Sequence, residues 1–445
     1  MRILTLLFLF ALNICRAQSD IPRQDKLILI NNVQVFNGKD SGTINGNVLI
    51  VNNLISKISS SPINTIQTTD VTIIDGKGKF LMPGLIDAHT HIMMEAVPIA
   101  VLQLSDIIYI TAVATKTAGD NLMQGFTTIR DLGGPSFGIK RAIDQNLIPG
   151  PRIYPSGAII SQTGGHGDFL MPQDVPRDAA APLSYAEKNS IGIIADGVEE
   201  VTKRVREQLR MGATQIKLAA GGGSSSSYDP LDVSQYSEAE FAAAVNAAEN
   251  WNTYVTVHAY TPKSIQTALK AGVRCIEHGQ LMDDASAKMI AEKKAWLCIQ
   301  PFLVEDKSAF AVGSANYLKQ QTVRRGTDSA YRLAIKYKLN TAFGTDCLFD
   351  AVKSKSKGAE IVKLTRWYSP FKILNMITAV NGELVALCGP RNPYPNKLGV
   401  IEEGAYADLI LVSGSPLENI KLLEDPQKNF LLIMKDGVVY KNMLQ

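Results

Sequence analysis

Apolar and polar residues alternate in short runs at both ends of the chain. From Lys26 to about Lys79, the runs KLILINNVQVF, GNVLIVNNLISKI and VTIIDGKGKF are separated by Asn, Gly and Asp residues, a pattern typical of strands and hairpins. The C-terminal part repeats this pattern in YADLILVSG and FLLIMKDGVVY. The two ends therefore predict one small β-sandwich domain, formed by residues 25–82 together with residues 396–445.

Between these ends, apolar runs alternate with helix-like segments. The runs are FLMPGLIDAHTHI, FTTIRDLGG, RIYPSGAII, QIKLAAGGG, YVTVHAY, CIEHG, AWLCIQPF and NTAFGTDC. One intervening segment opens with Ser237-x-x-Glu240, a capping box, and another begins at Thr261-Pro262, with Thr as the cap and Pro at the first helical position. Eight strands separated by helices over residues 83–395 predict a (β/α)8 TIM-like barrel of the α/β class. The alternative is an open, doubly wound sheet, because no sequence pattern shows that a sheet closes.

The first residues of the chain follow a different pattern. Arg2 precedes a short apolar run, and Cys15 and Ala17 place small residues at the positions that define a cleavage site. Residues 1–17 therefore predict a secretory signal peptide. A transmembrane anchor is the alternative, but the apolar run is shorter than the ~20 residues that span a bilayer. We expect an exported protein, periplasmic or secreted, without membrane attachment after cleavage.

The composition of the 445-residue chain is that of a globular protein. Hydrophobic residues make up 46% and charged residues 20%, and the formal net charge is +3. Neither disorder nor nucleic-acid binding is indicated. Four cysteines follow the signal segment, namely Cys275, Cys298, Cys347 and Cys388. A chain this large builds its core without disulfides, so we expect free, buried thiols, although the sequence decides neither their pairing nor whether the protein forms homo-oligomers.

All five histidines fall at or just beyond the C-terminal end of a predicted strand, the face on which barrel enzymes build their active sites. They are His89, His91, His166, His258 and His278. Because side chains alternate along a strand, His89 and His91 share one face and can both point into the barrel mouth. Imidazole is the commonest metal ligand in proteins, and converging buried histidines are costly without a metal or a hydrogen-bond partner. We therefore expect all of them except His166 to bind metal, rather than to be separately satisfied core or surface residues.

Two further residues complete the predicted site. Lys217 lies in an apolar fourth strand, where burial is expected to lower the pKa of its ammonium group, and a neutral lysine amine can take up carbon dioxide as an anionic carbamate. Asp346, in FGTDC at the end of the eighth strand, is placed to bind a metal and to accept a proton from water. The alternatives are a lysine that reaches the rim or pairs with an acid, and a solvated loop aspartate.

Other residues near the strand ends receive different assignments. His166, in TGGHGD, is expected to face the substrate and to stabilise an oxyanion or bind a substrate carboxylate; the alternative is a loop histidine bonded to nearby backbone. Tyr228, in SSSSYDP, is a second candidate for substrate contact, or else an ordinary loop tyrosine. Arg130 and Asp131 are expected to form a structural ion pair at the barrel mouth. Strand parity predicts that Glu277 points away from the barrel.

Taken together, these residues resemble the amidohydrolase superfamily. The combination of PGLIDAHTH, FGTD and ADLI is specific, and the resemblance covers almost the whole chain after the signal segment. Within the superfamily, the stretches TTIRDLGG, SGAIISQTGGHGD, VTVHAYTP and GVRCIEHG resemble the branch that holds imidazolonepropionase-like proteins, prolidase-type Xaa-Pro dipeptidases and ochratoxin-cleaving amide hydrolases. The stretch AAGGGSSSSYDP is richer in Gly and Ser than the pattern of that branch, which leaves the local substrate contacts open.

The resemblance implies a centre of two divalent metal ions, with zinc as the expected metal. In that scheme His89, His91 and Asp346 hold one ion, His258 and His278 hold the other, and carboxylated Lys217 bridges them. A hydroxide that bridges the two ions attacks the amide carbonyl of a dipeptide or an N-acyl amino acid, and Asp346 passes a proton to the leaving nitrogen. A cyclic-amide hydrolase of the imidazolonepropionase type and a non-catalytic barrel scaffold are the alternatives. The sequence fixes neither the exact substrate nor the native metal.

Overall fold

The computed structural model describes residues 25–65, 70–170, 182–226 and 228–444. Within these residues, seventeen strands are arranged in three sheets. The strands are β1 (Leu27–Val35), β2 (Ile44–Val51), β3 (Leu54–Ser59), β4 (Val71–Pro83), β5 (Leu85–Thr90), β6 (Phe126–Asp131), β7 (Arg152–Pro155), β8 (Ile159–Ser161), β9 (Gly192–Ile194), β10 (Ile216–Ala219), β11 (Val255–Ala259), β12 (Cys275–His278), β13 (Trp296–Ile299), β14 (Asn340–Phe343), β15 (Leu409–Val412), β16 (Phe430–Lys435) and β17 (Val438–Asn442).

Thirteen α-helices lie between and beside these strands in the described part of the chain. They are α1 (Ile99–Leu104), α2 (Ile107–Met123), α3 (Phe137–Asp144), α4 (Tyr185–Lys188), α5 (Gly197–Met211), α6 (Glu238–Glu249), α7 (Pro262–Lys270), α8 (Asp284–Glu292), α9 (Ala315–Lys336), α10 (Lys357–Lys363), α11 (Pro370–Asn375), α12 (Asn381–Ala386) and α13 (Pro426–Asn429). Short 3-10 helices cover Lys353–Lys355, Leu364–Arg366, Gly389–Arg391 and Ile420–Leu423, and a π-helical turn covers Met376–Val380.

Local sequence explains where two of these helices begin. Before α6, the Ser237 hydroxyl accepts from the Glu240 amide, while the Glu240 carboxylate accepts from the Ser237 amide. The predicted capping box is therefore confirmed. Helix α7 begins at Pro262, as expected for a residue without an N–H to satisfy. Its predicted cap differs in detail, because the Thr261 hydroxyl bonds Ser264 Oγ at 3.0 Å instead of a backbone amide.

Parallel pairing joins eight strand positions of the described chain in barrel order. Strands β5, β6 and β7 form one sheet, and a second sheet runs in the order β8, β10, β11, β12, β13 and β14, with β9 outside β8. The third position is shared, because β7 pairs with β6 while its continuation β8 pairs with β10, and Gly157 at a φ of +75° lies between them. The Asp346 amide donates to the His89 carbonyl at 2.9 Å, which joins the end of β14 to the end of β5. The predicted (β/α)8 barrel is confirmed, and the open sheet is wrong.

The remaining sheet is built from both ends of the chain, in the order β17, β16, β15, β4, β1, β2 and β3. It curls on itself, because the Ile55 amide donates to the Ala405 carbonyl at 2.9 Å and the Gly404 amide donates to the Ile55 carbonyl at 2.8 Å. Its inner face buries apolar side chains from both ends of the chain, among them Ile30 and Leu411. Each such side chain contributes roughly 1.5–3 kcal/mol through its removal from water. The β-sandwich predicted from the two termini is therefore confirmed.

One arginine ties the sandwich to the barrel. Arg152 on β7 is 4% exposed, and its guanidinium bonds Asp408 at 3.2 and 3.3 Å and Asp436 at 2.6 Å. It also stacks over the Tyr406 ring at 3.9 Å from the ring centroid. Burial opposes the charge, yet the two carboxylates raise the pKa of Arg152 above its ordinary value. The contact between the two domains is therefore ionic and joins buried Arg152 to buried Asp408 and partly exposed Asp436.

The remaining predictions concern a membrane-spanning helix, the signal peptide and the cysteines. Among them, no helix combines the length and the apolar character that crossing a bilayer requires. The signal peptide predicted for residues 1–17 lies outside the described residues, so export stays a prediction. The four cysteines Cys275, Cys298, Cys347 and Cys388 are buried and free.

Arg152→Met tests the joint between sandwich and barrel. We expect the free energy of unfolding to fall by about 3–5 kcal/mol, because the change leaves the buried Asp408 carboxylate without its cation. Urea unfolding followed by circular dichroism measures the loss. Lys116→Met, which removes the exposed pair with Asp120 on α2, is the matched control and should have little effect. If both variants unfold at the wild-type urea concentration, the joint contributes no stability.

Candidate metal centre

The barrel mouth brings all five histidines into one cluster, in which His166 is partly exposed and the other four are buried. His89 lies on β5 and His91 directly after it, His258 lies on β11 and His278 on β12, and His166 follows β8. Ring centroids lie 5.3 Å apart for His89 and His91, 4.9 Å for His89 and His278, 4.5 Å for His258 and His278, and 4.0 Å for His166 and His258. Side chains from four separate strand ends therefore face one common space.

Asp346 closes one side of this cluster. Its Oδ1 lies 3.4 Å from His89 Nε2 and 3.5 Å from His91 Nε2, and its Oδ2 lies 4.0 Å from His278 Nδ1. The backbone of Asp346 has a φ of +45°. Two residues earlier, Gly344 has to be glycine, because a Cβ there would lie 2.3 Å from His89 Cβ. The turn after β14 is thus fitted tightly beneath β5, which brings the carboxylate to the imidazoles.

His89, His91 and Asp346 have the geometry of a set of metal ligands. One nitrogen of each ring and one carboxylate oxygen lie within 4.8 Å of one another. His89 Nε2 and Asp346 Oδ1 are buried and have no hydrogen-bond partner among the described residues. A buried polar atom without a partner costs about 1–3 kcal/mol, and a cation between these atoms would satisfy both. Two imidazoles and a carboxylate are a donor set that zinc accepts.

The second nitrogen of each ring bonds an oxygen outside the cluster. The pairs are His89 Nδ1 with Glu277 Oε2 at 2.8 Å, His91 Nδ1 with the Gly133 carbonyl at 3.4 Å, His258 Nε2 with the Gly222 carbonyl at 3.2 Å, and His278 Nδ1 with Gln300 Oε1 at 2.7 Å. Because these oxygens are acceptors, each of these nitrogens carries the ring hydrogen. The other nitrogen of each ring is then a bare lone pair. Metal-binding histidines are usually oriented in this way, so the residues fit a bound metal.

Burial keeps the imidazoles of His89, His258 and His278 neutral. Desolvation is the largest influence, and it lowers the pKa of His89 to about 4 and the pKa of His278 to about 3. Burial, followed by the neighbouring His166, lowers the pKa of His258 well below its ordinary value. The neutral ring is the form that binds a metal. These three histidines are therefore in their ligand form near neutral pH.

Lys217 lies on β10, deeper in the barrel than the histidine beside it. In the parallel register His258 faces Ala219, and Lys217 faces Thr256 two positions earlier. Lys217 is 2% exposed and makes no hydrogen bond or ion pair with any residue that the structure describes. Burial, opposed by nearby acids, lowers the pKa of its ammonium group. The lysine neither reaches the rim nor pairs with an acid, which excludes both alternatives raised from the sequence.

Glu277 faces the barrel interior, so the parity prediction for this residue is wrong. It is fully buried and bonds His89 at 2.8 Å and Arg130 at 2.6 Å. His278 has a φ of +79°, which breaks the alternation at the end of the strand and lets both side chains reach the inside. The predicted pair of Arg130 with Asp131 is also wrong, because Arg130 pairs with Glu277. Burial opposes the charge of Glu277, but Arg130 and His89 hold its pKa well below the ordinary value.

A buried ionic cluster supports the Asp346 turn from behind. Asp87 accepts from the Thr345 amide at 2.9 Å and from the Thr345 hydroxyl at 2.7 Å. Lys357 on α10 is fully buried, and its Nζ lies 3.4 Å from Asp87 and 3.0 Å from Glu95. Because Thr345 directly precedes Asp346, Asp87 fixes the backbone from which the ligand carboxylate extends. No local sequence pattern marks Lys357 as part of the site, because its partners Asp87 and Glu95 are distant in the chain.

The two residues predicted to contact substrate lie in different surroundings. His166 stacks on His258 with 29° between the ring planes, and its Nδ1 lies 2.8 Å from Ser226 Oγ and 3.6 Å from Asp229 Oδ2. Burial lowers the pKa of His166 to about 4, so this ring is neutral as well. Tyr228 lies on the loop after β10 and is 47% exposed. The structure therefore brings His166 into the cluster and leaves Tyr228 exposed on the loop.

A separate cavity lies at the opposite end of the barrel, where β13 and β14 begin. Its volume is about 410 Å³, and its lining includes Trp296, Asn340 and Tyr368. No residue predicted for the site lines this cavity. Barrel enzymes work at the C-terminal ends of their strands, so we assign the chemistry to the mouth that holds the histidines.

Comparison with known proteins places this arrangement in a family. The sequence profile described as "Amidohydrolase family" matches residues 80–445. The chain belongs to the amidohydrolase family. The five histidines, Lys217 and Asp346 all lie within the matched residues. The resemblance seen in the sequence is confirmed, and the protein is a hydrolase that acts on amide bonds.

Three relatives of this amidohydrolase match most of its length. Ochratoxinase from Aspergillus niger is 31% identical over 389 residues, which cover 81% of this chain and 75% of the relative. Its crystal structure has a TM-score of 0.81 at 27% identity, over 94% of this chain and 96% of that one. A prolidase in complex with N-methylphosphonate-L-proline has a TM-score of 0.85 at 31% identity, over 94% and 100%. A Xaa-Pro dipeptidase with methionine bound in its active site has a TM-score of 0.79 at 27% identity, over 94% and 100%.

Glu277→Gln tests whether this buried carboxylate orients His89. The variant keeps the side-chain shape but removes the charged acceptor for His89 Nδ1–H. We expect the affinity for zinc to fall about 10–100-fold, as measured by competition with a chromogenic chelator. Glu292→Gln, at an exposed position on α8, is the matched control and should bind zinc as the wild type does. Wild-type affinity in Glu277→Gln would contradict the orienting role.

Proposed function

We propose that this amidohydrolase is a two-zinc enzyme that cleaves the amide bond of a dipeptide or an N-acyl amino acid. The observation that carries the proposal is the set of ligand atoms of His89, His91 and Asp346, which lie within 4.8 Å of one another beside the rings of His258 and His278. Lys217 lies close enough to influence the pKa of both His89 and His278. This lysine could therefore be shared by two ions.

The ligands divide into two groups in this proposal. His89, His91 and Asp346 would hold the first ion, His258 and His278 would hold the second ion, and Lys217 would be shared between the two. Bridging requires a negative charge, which the lysine gains when its neutral amine attacks carbon dioxide, forms one N–C bond and releases one proton. The lowered pKa of the lysine and its lack of an acidic partner support this step.

Zinc ions bound there would supply a water of lowered pKa and positive charge near the substrate carbonyl. Asp346 accepts the proton of the attacking water and delivers it to the nitrogen that leaves as an amine. His166 offers a neutral ring beside His258, where it can hydrogen-bond the tetrahedral oxygen or a substrate carboxylate. Burial of the cluster lowers the local dielectric and strengthens each of these electrostatic contacts.

Relatives support a substrate in which an amide joins an acyl group to an amino acid. One relative is an ochratoxinase, one is a prolidase that binds a phosphonate of proline, and one is a Xaa-Pro dipeptidase with bound methionine. The prolidase and the dipeptidase therefore bind a derivative of an amino acid and a free amino acid, respectively. We further propose, from the predicted signal peptide, that the enzyme acts on such molecules outside the cytoplasm.

A screen of dipeptides and N-acyl amino acids for amine release tests the proposed reaction. We expect the zinc-loaded protein to cleave at least one of them. Treatment with a chelator should abolish the cleavage, and addition of zinc should restore it. Asp346→Asn is the negative control. It should keep most of its zinc while turnover falls about 10²–10⁴-fold, because the proton carrier is lost. No amine release from any compound would contradict the proposed substrate class.

Lys217→Ala tests the bridging lysine. We expect the wild type to hold about two zinc ions per chain and the variant to lose most of them, because the shared ligand is gone. Elemental analysis of protein produced in zinc-supplemented medium measures the ratio. Lys270→Ala, at an exposed position on α7, is the matched control and should keep full occupancy. Full occupancy in Lys217→Ala would rule out the bridge.

A further inference from the structure

The loop that follows β10 lies between two imidazoles of the site. The Gly222 carbonyl accepts from His258 Nε2 at 3.2 Å, and Ser226 Oγ lies 2.8 Å from His166 Nδ1. We call residues 221–226 and 228–229 the Gly-Ser loop. It sets the tautomer of His258 and also contacts the ring that the proposed function assigns to the substrate.

The Gly-Ser loop approaches these rings as closely as a backbone can. A Cβ at Gly223 would lie 2.0 Å from His166 Nδ1, so no larger residue fits there. The Gly223 amide donates to Asp229 Oδ2 at 2.6 Å, which closes the loop. Yet Gly loses more conformational freedom on ordering than any other residue. A loop of this composition depends on contacts from outside to stay in place.

Helix α9 supplies those contacts. Lys319 Nζ donates to the carbonyls of Gly223 at 3.1 Å, Ser226 at 2.8 Å and Asp229 at 2.8 Å. Asn316 Nδ2, one turn earlier on the helix, donates to two carbonyls of the same loop at 3.0 and 3.1 Å. Hydrogen bonds from an ionised donor are stronger than those between neutral groups. All five bonds end on backbone carbonyls, and Ser226 accepts from both side chains, so these bonds fix the path of the loop itself.

We infer that Lys319 and Asn316 are positioning residues for substrate binding, which hold the Gly-Ser loop against His166 and His258 from outside the barrel. The inference rests on the proposed function for the role of the loop. Neither residue is a ligand in the proposed centre or part of the proton path. Their removal should therefore loosen the loop and weaken substrate binding, while the metal content and the chemical step are kept.

Lys319→Met, in the full-length zinc-loaded protein, removes the donor and keeps the apolar stem. With L-methionyl-L-proline as the probe substrate, we expect KM to rise on the order of tenfold and kcat to change by about twofold or less, because binding rather than chemistry is affected. Hydrogen exchange followed by mass spectrometry should speed up in the peptide that spans residues 222–230 and stay unchanged in the other barrel strands. Zinc content should stay at the wild-type value.

Two further variants make the result decisive. Lys336→Met removes an exposed lysine at the far end of α9 and should leave KM and loop exchange unchanged. Asn316→Leu removes two of the five bonds. It should shift KM and loop exchange in the same direction as Lys319→Met but less, which keeps the test valid if Lys319→Met fails to fold.

Wild-type KM and loop exchange in Asn316→Leu and Lys319→Met would overturn the inference, as would a loss of kcat at unchanged KM. If the wild type leaves this dipeptide intact, a compound that it cleaves in the screen serves as the probe. A wild type that cleaves no compound would contradict the proposed function instead, and loop exchange would still test whether Lys319 and Asn316 hold the loop.

Discussion

The barrel mouth depends on one constraint, which is that a buried imidazole stays neutral and donates its single N–H to an oxygen. His89, His91, His258 and His278 all donate away from their common space. In His89 the nitrogen left without a hydrogen is Nε2, which faces Asp346 Oδ1 at 3.4 Å. Two buried acceptor atoms that face each other with no hydrogen between them leave a place for a cation. The metal centre proposed for this amidohydrolase thus follows as much from the acceptors behind the rings as from the rings themselves.

Buried ion pairs support the site, because the buried acids next to it each pair with a buried cation. Glu277 faces Arg130 beneath the first histidine, and Asp87 faces Lys357 behind the turn that carries Asp346. Removing either cation would leave a buried carboxylate uncompensated, which is among the costly changes in a protein interior. The ligands are therefore held on strand ends with little freedom. The Gly-Ser loop is different, because it owes its order to α9, and loops of this kind are where barrel enzymes vary their substrates.

Much of the fold and the convergence of the histidines with Asp346 could be predicted from the sequence, because both depend on local periodicity. The strand order, the capping box at Ser237 and the position of every histidine at a strand end need only the hydrophobic pattern and a period of two. The supporting residues could not be predicted, because their partners are distant in the chain. Parity places Glu277 outside the barrel only for a regular strand, and no local pattern marks the positive φ of His278. Likewise, proximity in sequence suggests Asp131 as the partner of Arg130, whereas Asp131 accepts from a backbone amide and a serine hydroxyl.

Anomalous diffraction at the zinc absorption edge, from crystals of the zinc-loaded protein, tests the central claim most directly because it locates ions without reference to activity. The account predicts two peaks about 3.5–4 Å apart. One should lie among His89, His91 and Asp346 and the other beside His258 and His278, with electron density extending between them from the lysine of β10. A single peak in the barrel mouth, or two peaks without density from that lysine, would contradict the account.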